Sequence, residues 1–130
     1  MSEAALLALM DRILNDPNYD AVAEIVEGER ARGFRVLRPD DTPWFLAADW
    51  APKSIASVSG VLVRLVLLQA RKPGSGAFTR TVAGLRAAGY RPAVIEPTRE
   101  FAEMLARRGW IKRSVGNTLE TREKIWRPRS

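Results

Sequence analysis

The chain has 130 residues, 46% of them hydrophobic, and contains neither cysteine nor histidine. That length suits one folded domain with a real core, and the missing residue types exclude disulfides, thiolate nucleophiles, Ser-His-Asp and Cys-His catalysis and the common zinc sites. The net charge of +6 is uneven: residues 1–50 carry 5 Arg against 10 Asp or Glu, and residues 51–130 carry 16 Lys or Arg against 5 Glu, so the halves stand at −5 and +11. A basic C-terminal half suits a polyanionic partner, either nucleic acid or a phosphate-bearing cofactor, or else forms a solvated arginine-rich surface. The apolar patch from Ala4 to Met10 has no basic region before it and falls short of a membrane span, so a soluble, cytoplasmic protein with no membrane partner is expected.

In chain order, Ser2 caps a predicted first helix through about Leu14, with Leu6, Leu7, Met10, Ile13 and Leu14 on one face. Asn15 to Asn18 ends it. A second helix from about Tyr19 to Arg32 turns Val22, Ile25 and Val26 inward and leaves Glu24, Glu27, Glu29 and Arg30 to solvent, with Gly33 as its stop. Phe34 to Leu37 and Trp44 to Ala48 read as an antiparallel hairpin about the Pro39–Pro43 turn. Asp49 to Ser59 reads either as a connection over the core or, from Ser54 onward, as an early start to the strand that follows.

That strand, Val61 to Leu68, is apolar on both alternating faces except at Arg64, as expected for a central strand covered on both sides. Arg64 is expected to pair with a carboxylate such as Glu96, to face a cleft, or to snorkel to a sheet face. Lys72-Pro73-Gly74-Ser75-Gly76 then stops the strand, and a helix follows from Ala77 to about Ala88 with Phe78, Val82 and Leu85 inward. Pro92 to Glu96 is a short strand, parallel to the central one because a helix connects them. Pro97-Thr98 opens a helix ending at Arg108 and Gly109. Trp110 to Val115 and Thr118 to Trp126 flank Gly116-Asn117 as a hairpin. Trp44, Trp50, Trp110 and Trp126 either fill the core or stack on bases. The basic tail Arg122, Lys124, Arg127 and Arg129 is either solvated or a nucleic-acid contact.

The loop after the central strand carries the main functional signal. Glycines there permit positive φ and close backbone approach, so amides from Lys72 to Ala77 gather at a helix N-terminus, where anions bind. Arg71, Lys72 and Arg80 add charge for a phosphate group.

Arg71-Lys72-Pro73-Gly74-Ser75-Gly76 matches the R/Q-x-x-G-x-G/A pyrophosphate pattern of the GNAT acetyltransferase superfamily at each specified position, between a strand and a helix. The segment from Ile95 to Trp110 is similar to that family's next strand, helix and closing Gly-Phe, with Trp110 as the aromatic. The resemblance covers about Val61 to Trp126. It implies an α+β fold, a mixed and mostly antiparallel sheet with one parallel pair, flanked by helices. It also implies one GNAT-like domain over 1–130, with two N-terminal helices in 1–33, the first strands in 34–68, and the CoA loop, helices and C-terminal hairpin in 69–130. The implied reaction is direct transfer of an acetyl group from acetyl-CoA to an amine acceptor, without a metal. By the resemblance, Leu67, Leu68, Arg71, Lys72, Gly74, Ser75, Gly76, Ala77 and Arg80 hold the acyl-CoA, the Leu68 amide polarises the thioester carbonyl, and Glu96 is the candidate base. The chain departs from the family pattern in two places: Leu105 stands where many members carry a proton-donating tyrosine, and Thr98 where an asparagine is common. The alternative implied by these departures is a catalytically inactive GNAT-fold binding module that contacts nucleic acid through its basic half. Oligomeric state is left open, a dimer included.

Overall fold

The computed structural model describes residues 2–5, 20–115 and 123–129. The body of the expected first helix, its Asn15–Asn18 break and the Gly116-Asn117 turn lie outside these residues. Of that helix the start is described, with Ser2 Oγ accepting from the Ala5 amide at 3.1 Å.

Helix α1, Ala21–Ala31, begins where Asp20 accepts from the Val22 and Ala23 amides at 3.0 and 3.1 Å, which satisfies donors that a helix start leaves orphaned. Strand β1, Arg35–Leu37, then pairs antiparallel with β2, Ile55–Ser59. The expected hairpin with a strand at Trp44–Ala48 does not form; a single bridge links Thr42 and Phe45. Its turn aspartates explain the difference. Asp41 accepts from the Arg38 amide at 2.7 Å and Asp40 from the Ala47 amide at 2.8 Å, so side chains take donors that a hairpin ladder would need. The apolar run is instead a connection folded into the core, with Phe45 fully buried and the Trp50 indole donating to Thr81 Oγ1 at 2.8 Å.

Strand β3, Leu62–Leu67, follows β2 through a turn at Gly60-Val61. Helix α2, Ala77–Ala87, leads to β4, Arg91–Ile95, and helix α3, Arg99–Arg107, to β5, Ile111–Val115, and β6, Glu123–Arg127. The sheet order is β1-β2-β3-β4-β6-β5. The β3 and β4 strands are parallel, and every other neighbouring pair is antiparallel. This is the expected mixed α+β architecture, with β3 in the interior of the sheet.

Successive side chains of β3 serve opposite faces. Val63 and Leu65 join Val94, Phe78, Leu85 and Leu105 in the main core beneath α2 and α3. Leu62 and Val66 pack on the other face with Ala93, Ile95 and Ile125. All four tryptophans pack into or against the main core, Trp44 and Trp50 buried, which favours the packing reading over an exposed stacking array.

Arg64 lies on the second face with its side chain 3% exposed. Its partners are Glu29 of α1 and Glu123 of β6, at 3.0 and 2.9 Å, and Glu96 is not among them. Glu29, expected in solvent, is buried and also accepts from Ser57 Oγ at 2.9 Å. Arg32 adds a contact to Glu123 at 2.8 Å, and the Phe34 ring lies 4.6 Å beneath the Arg64 guanidinium. Burial alone would push the Glu123 carboxyl up, but hydrogen bonds from Arg32 and Arg64 outweigh it and hold the group below its ordinary value.

Candidate functional site

The site begins where the two parallel strands part. The ladder between β3 and β4 runs from Leu62 to Leu65 against Arg91 to Val94 and then stops. On the β3 side, Ile55 pairs with Leu67 while Ala56 pairs with Leu65, so Val66 has no counterpart on β2 and forms a bulge. Such an extra residue bends its strand. On the β4 side, Ile95 pairs with Ile125, and the Glu96 amide donates to the Lys124 carbonyl at 2.9 Å, which draws the chain toward β6. The strands therefore diverge around a slot of about 110 Å³ lined by Leu65 to Leu68, Val94 to Thr98 and Phe101.

Leu68 sits just past the end of the β2 ladder. Bonding to the connection resumes at Gln69, whose amide donates to Ser54 Oγ at 3.0 Å and whose carbonyl accepts from the Ala51 amide at 2.8 Å. Leu67 and Leu68 both line the slot.

Next comes the glycine loop. The Ser75 amide closes a turn onto the Lys72 carbonyl at 3.2 Å, and Gly74 and Gly76 take φ of 79° and 83°. Those values lie in the left-handed region that glycine enters freely. Helix α2 starts at Ala77 with no side-chain cap and no acidic residue in its first turn, unlike α1 with Asp20 and α3, where Thr98 accepts from the Phe101 amide at 3.3 Å. The loop and helix start surround a cavity of about 340 Å³ whose walls include Lys72, Gly74, Ser75, Gly76, Ala77 and Arg108. Leu68 and Phe101 line both this cavity and the slot, so the two adjoin.

The expected cations take different stations. Lys72 lines the loop cavity. Arg71 turns back, its amide donating to the Asp49 carbonyl at 2.9 Å and its Nε to the Ala47 carbonyl. Arg80 clamps the loop from outside, donating to the Ser75 carbonyl at 2.6 Å and to Asp49 at 2.7 Å. Its hydrogen bond to Asp49 holds the guanidinium above its ordinary pKa against the opposing effect of desolvation. Arg108, Phe101 and Met104 were not singled out from sequence as site residues, yet each lines the loop cavity. In sequence, Phe101 and Met104 share a helix face and Arg108 ends that helix, and only the position of α3 beside the loop makes them walls.

Glu96 is exposed at the mouth of the slot and has φ of 44°, rare for a residue with a side chain. It is held there on both sides by Lys124, whose amide donates to Glu96 Oε1 at 2.7 Å. Strain of this kind costs on the order of 1–2 kcal/mol and persists where surrounding bonds over-determine it. Leu105 is fully buried in the main core.

Among the described residues no cluster of three or more metal-ligating side chains occurs, and no helix is long and apolar enough to cross a membrane. No family model and no curated protein matches the chain. Among solved structures, a crystal structure from Agrobacterium tumefaciens named a "putative acetyltransferase" is similar over 92% of this chain and 90% of its own, at 15% identity and a TM-score of 0.44. A likeness that slight assigns neither a fold family nor an activity.

Proposed function

We propose that the chain is a GNAT-type acyltransferase that binds acetyl-CoA along the slot and loop and passes the acetyl group to an amine. The observation that supports this is the continuity of the two cavities: an apolar slot between parting parallel strands opens at Leu68 and Phe101 onto an uncapped helix start. The residues present fit the ligand's chemistry. Unsatisfied amides and the positive end of the α2 dipole suit a diphosphate, Lys72 and Arg108 balance its charge, and the leucine and valine walls of the slot suit a slender chain that must be kept from water.

When bound, the thioester supplies an acyl carbon already activated toward amines. The Leu68 amide, at the junction of the slot with the loop cavity, serves as the fixed donor that stabilises charge developing on the carbonyl oxygen. Leu67 and the Val66 bulge orient that backbone. Glu96, with Oε1 occupied by the Lys124 amide, offers Oε2 to take the proton of an incoming ammonium group. Leu105 has no proton to give, so the departing thiolate draws one from solvent. Arg71 and Arg80 act through the loop: both tie it to the Ala47–Asp49 connection, which holds the glycine turn in register.

A second reading, a module of this fold that holds the ligand without turning it over, is favoured by the burial of Leu105 and by Thr98 being spent on capping α3. Calorimetry and turnover separate the two. Titration with acetyl-CoA should give saturable heat, and Gly74→Glu should abolish it. A Cβ at Gly74 meets nothing within 4 Å, but a φ of 79° strains any side chain there, so Gly74→Ala is the control that separates the strain from the added charge. Free-thiol release in the presence of an amine panel should fall by roughly 10²- to 10⁴-fold in Glu96→Gln with acetyl-CoA affinity unchanged. Absence of heat up to millimolar acetyl-CoA would sink both readings, and heat without thiol release would leave the binding module.

A further inference from the structure

At the other end of β4 the sheet contains a notch that the acyl-CoA reading does not use. The β4 and β6 strands pair at Val94 with Trp126 and Ile95 with Ile125. Continuing that register by two residues would set Pro92 opposite Pro128. Proline has no amide hydrogen, so neither residue can donate and the ladder cannot extend. The strands stay apart, and a cavity of about 610 Å³ opens between the start of β4, the end of α2 and the tail after β6.

Its lining is strongly basic. Arg86, Arg91, Arg127 and Arg129 line it together with the half-buried Tyr90, and among the described residues no carboxylate does. Arg91, Arg127 and Arg129 are exposed, and none is ion-paired among the described residues. The cavity continues past Arg86, Pro128 and Arg129 into a second of about 330 Å³ that includes Trp110. The result is an elongated arginine furrow with an aromatic side chain in each segment.

We propose that this furrow binds the backbone of a single-stranded nucleic acid. Guanidinium groups suit phosphodiesters, and the exposed part of Tyr90 and of Trp110, each otherwise packed against the core, offers apolar contact to unpaired bases. An elongated shape favours a polymer over a lone phosphate, as does the +11 charge of residues 51–130, which draws in a polyanion from a distance. The notch lies at the proline-limited end of β4 and the slot at the opposite end, so the proposal does not rest on acyl-CoA binding; Arg108, which walls both the second cavity and the loop cavity, is left out of it.

Fluorescence anisotropy of the full chain with a labelled oligothymidylate of about 20 nucleotides tests it. Binding should be saturable, and its affinity should fall roughly 20-fold between about 50 and about 200 mM salt, as about three phosphate contacts dictate for a single strand. The double variant Arg91→Ala with Arg129→Ala should weaken binding roughly tenfold and flatten the salt response. Arg129→Glu alone, in the tail beyond β6 where folding is not at stake, should weaken it as well. Arg99→Ala, on α3 with a side chain 90% exposed, should change neither affinity nor slope. No saturable binding, equal loss in Arg99→Ala, or full affinity in both furrow variants would overturn the proposal. Tighter binding to a duplex of the same length would overturn the commitment to a single strand.

Discussion

The most consequential single residue outside the site is Arg64. Its guanidinium is shared by two carboxylates from distant parts of the chain, so it ties α1 and β6 to the middle of the sheet. Removing one partner of a buried pair leaves an uncompensated charge, which costs about 3–5 kcal/mol. Arg64→Ala should therefore destabilise the protein by about that amount in urea denaturation, because Glu29 would be left buried with only Ser57 and the half-exposed Arg32, at 3.7 Å, to compensate it. Adding Glu29→Gln should recover part of the loss, since it removes the stranded charge. Strict additivity of the two substitutions would show that the pair is not coupled in the folded state. The sequence marked Arg64 as anomalous without naming its partners. Glu29 falls on the polar side of a helical pattern, and its partner lies 35 residues away, a distance over which periodicity carries no information.

At the scale of elements, α2 is the hinge of the account, because it ends the loop cavity at one end and packs on the connection at the other. Its glycine at position 84 looks like a propensity defect, since replacing a mid-helix glycine with alanine ordinarily gains about 1 kcal/mol. Here a Cβ would come within 2.8 Å of the Trp44 Cβ and 3.5 Å of its Cα, close to the backbone and not to a flexible tip. Gly84→Ala should therefore destabilise by about 1–3 kcal/mol, the usual range for overpacking. Gly28→Ala in α1, where a Cβ meets nothing within 4 Å, should stabilise by up to about 1 kcal/mol. If both substitutions stabilise equally in denaturant melts, the Trp44 contact is not close. Trp44 also shows where sequence reading failed. An aromatic, apolar run between turn residues signals burial, which is correct, and a strand, which the turn aspartates prevent. Strand β2 was harder to see because its small residues, Ala56 and Ser57, are buried without being bulky. The β3, α2, β4 and α3 series was legible because each element rests on a local pattern bounded by glycine or proline.

For the whole molecule, the charge division seen in composition has a structural counterpart. The acidic half supplies Glu29 to the buried network and Asp49 to the loop clamp, so part of its charge is spent internally. The basic half leaves Arg91, Arg127 and Arg129 exposed around the notch and Lys72 and Arg108 around the loop cavity. Composition suggests a polyanionic partner or a solvated arginine-rich surface, but not where the fold leaves basic side chains gathered, since that requires knowing which ends of β4 stay unpaired. The candidate CoA residues from Leu67 to Ala77 are contiguous in sequence and were readable as a motif. The slot they open onto was not readable, because it depends on the Val66 bulge and on Lys124 reaching back to Glu96.

The central claim is that acetyl-CoA occupies the slot and the glycine loop. Backbone amide NMR of the uniformly labelled protein during an acetyl-CoA titration tests this most directly. Saturable shifts should concentrate at Leu68, Gly74, Gly76 and Ala77, with Arg91 and Arg127 unmoved. Shifts centred on the arginine notch, or none at millimolar ligand, would contradict it.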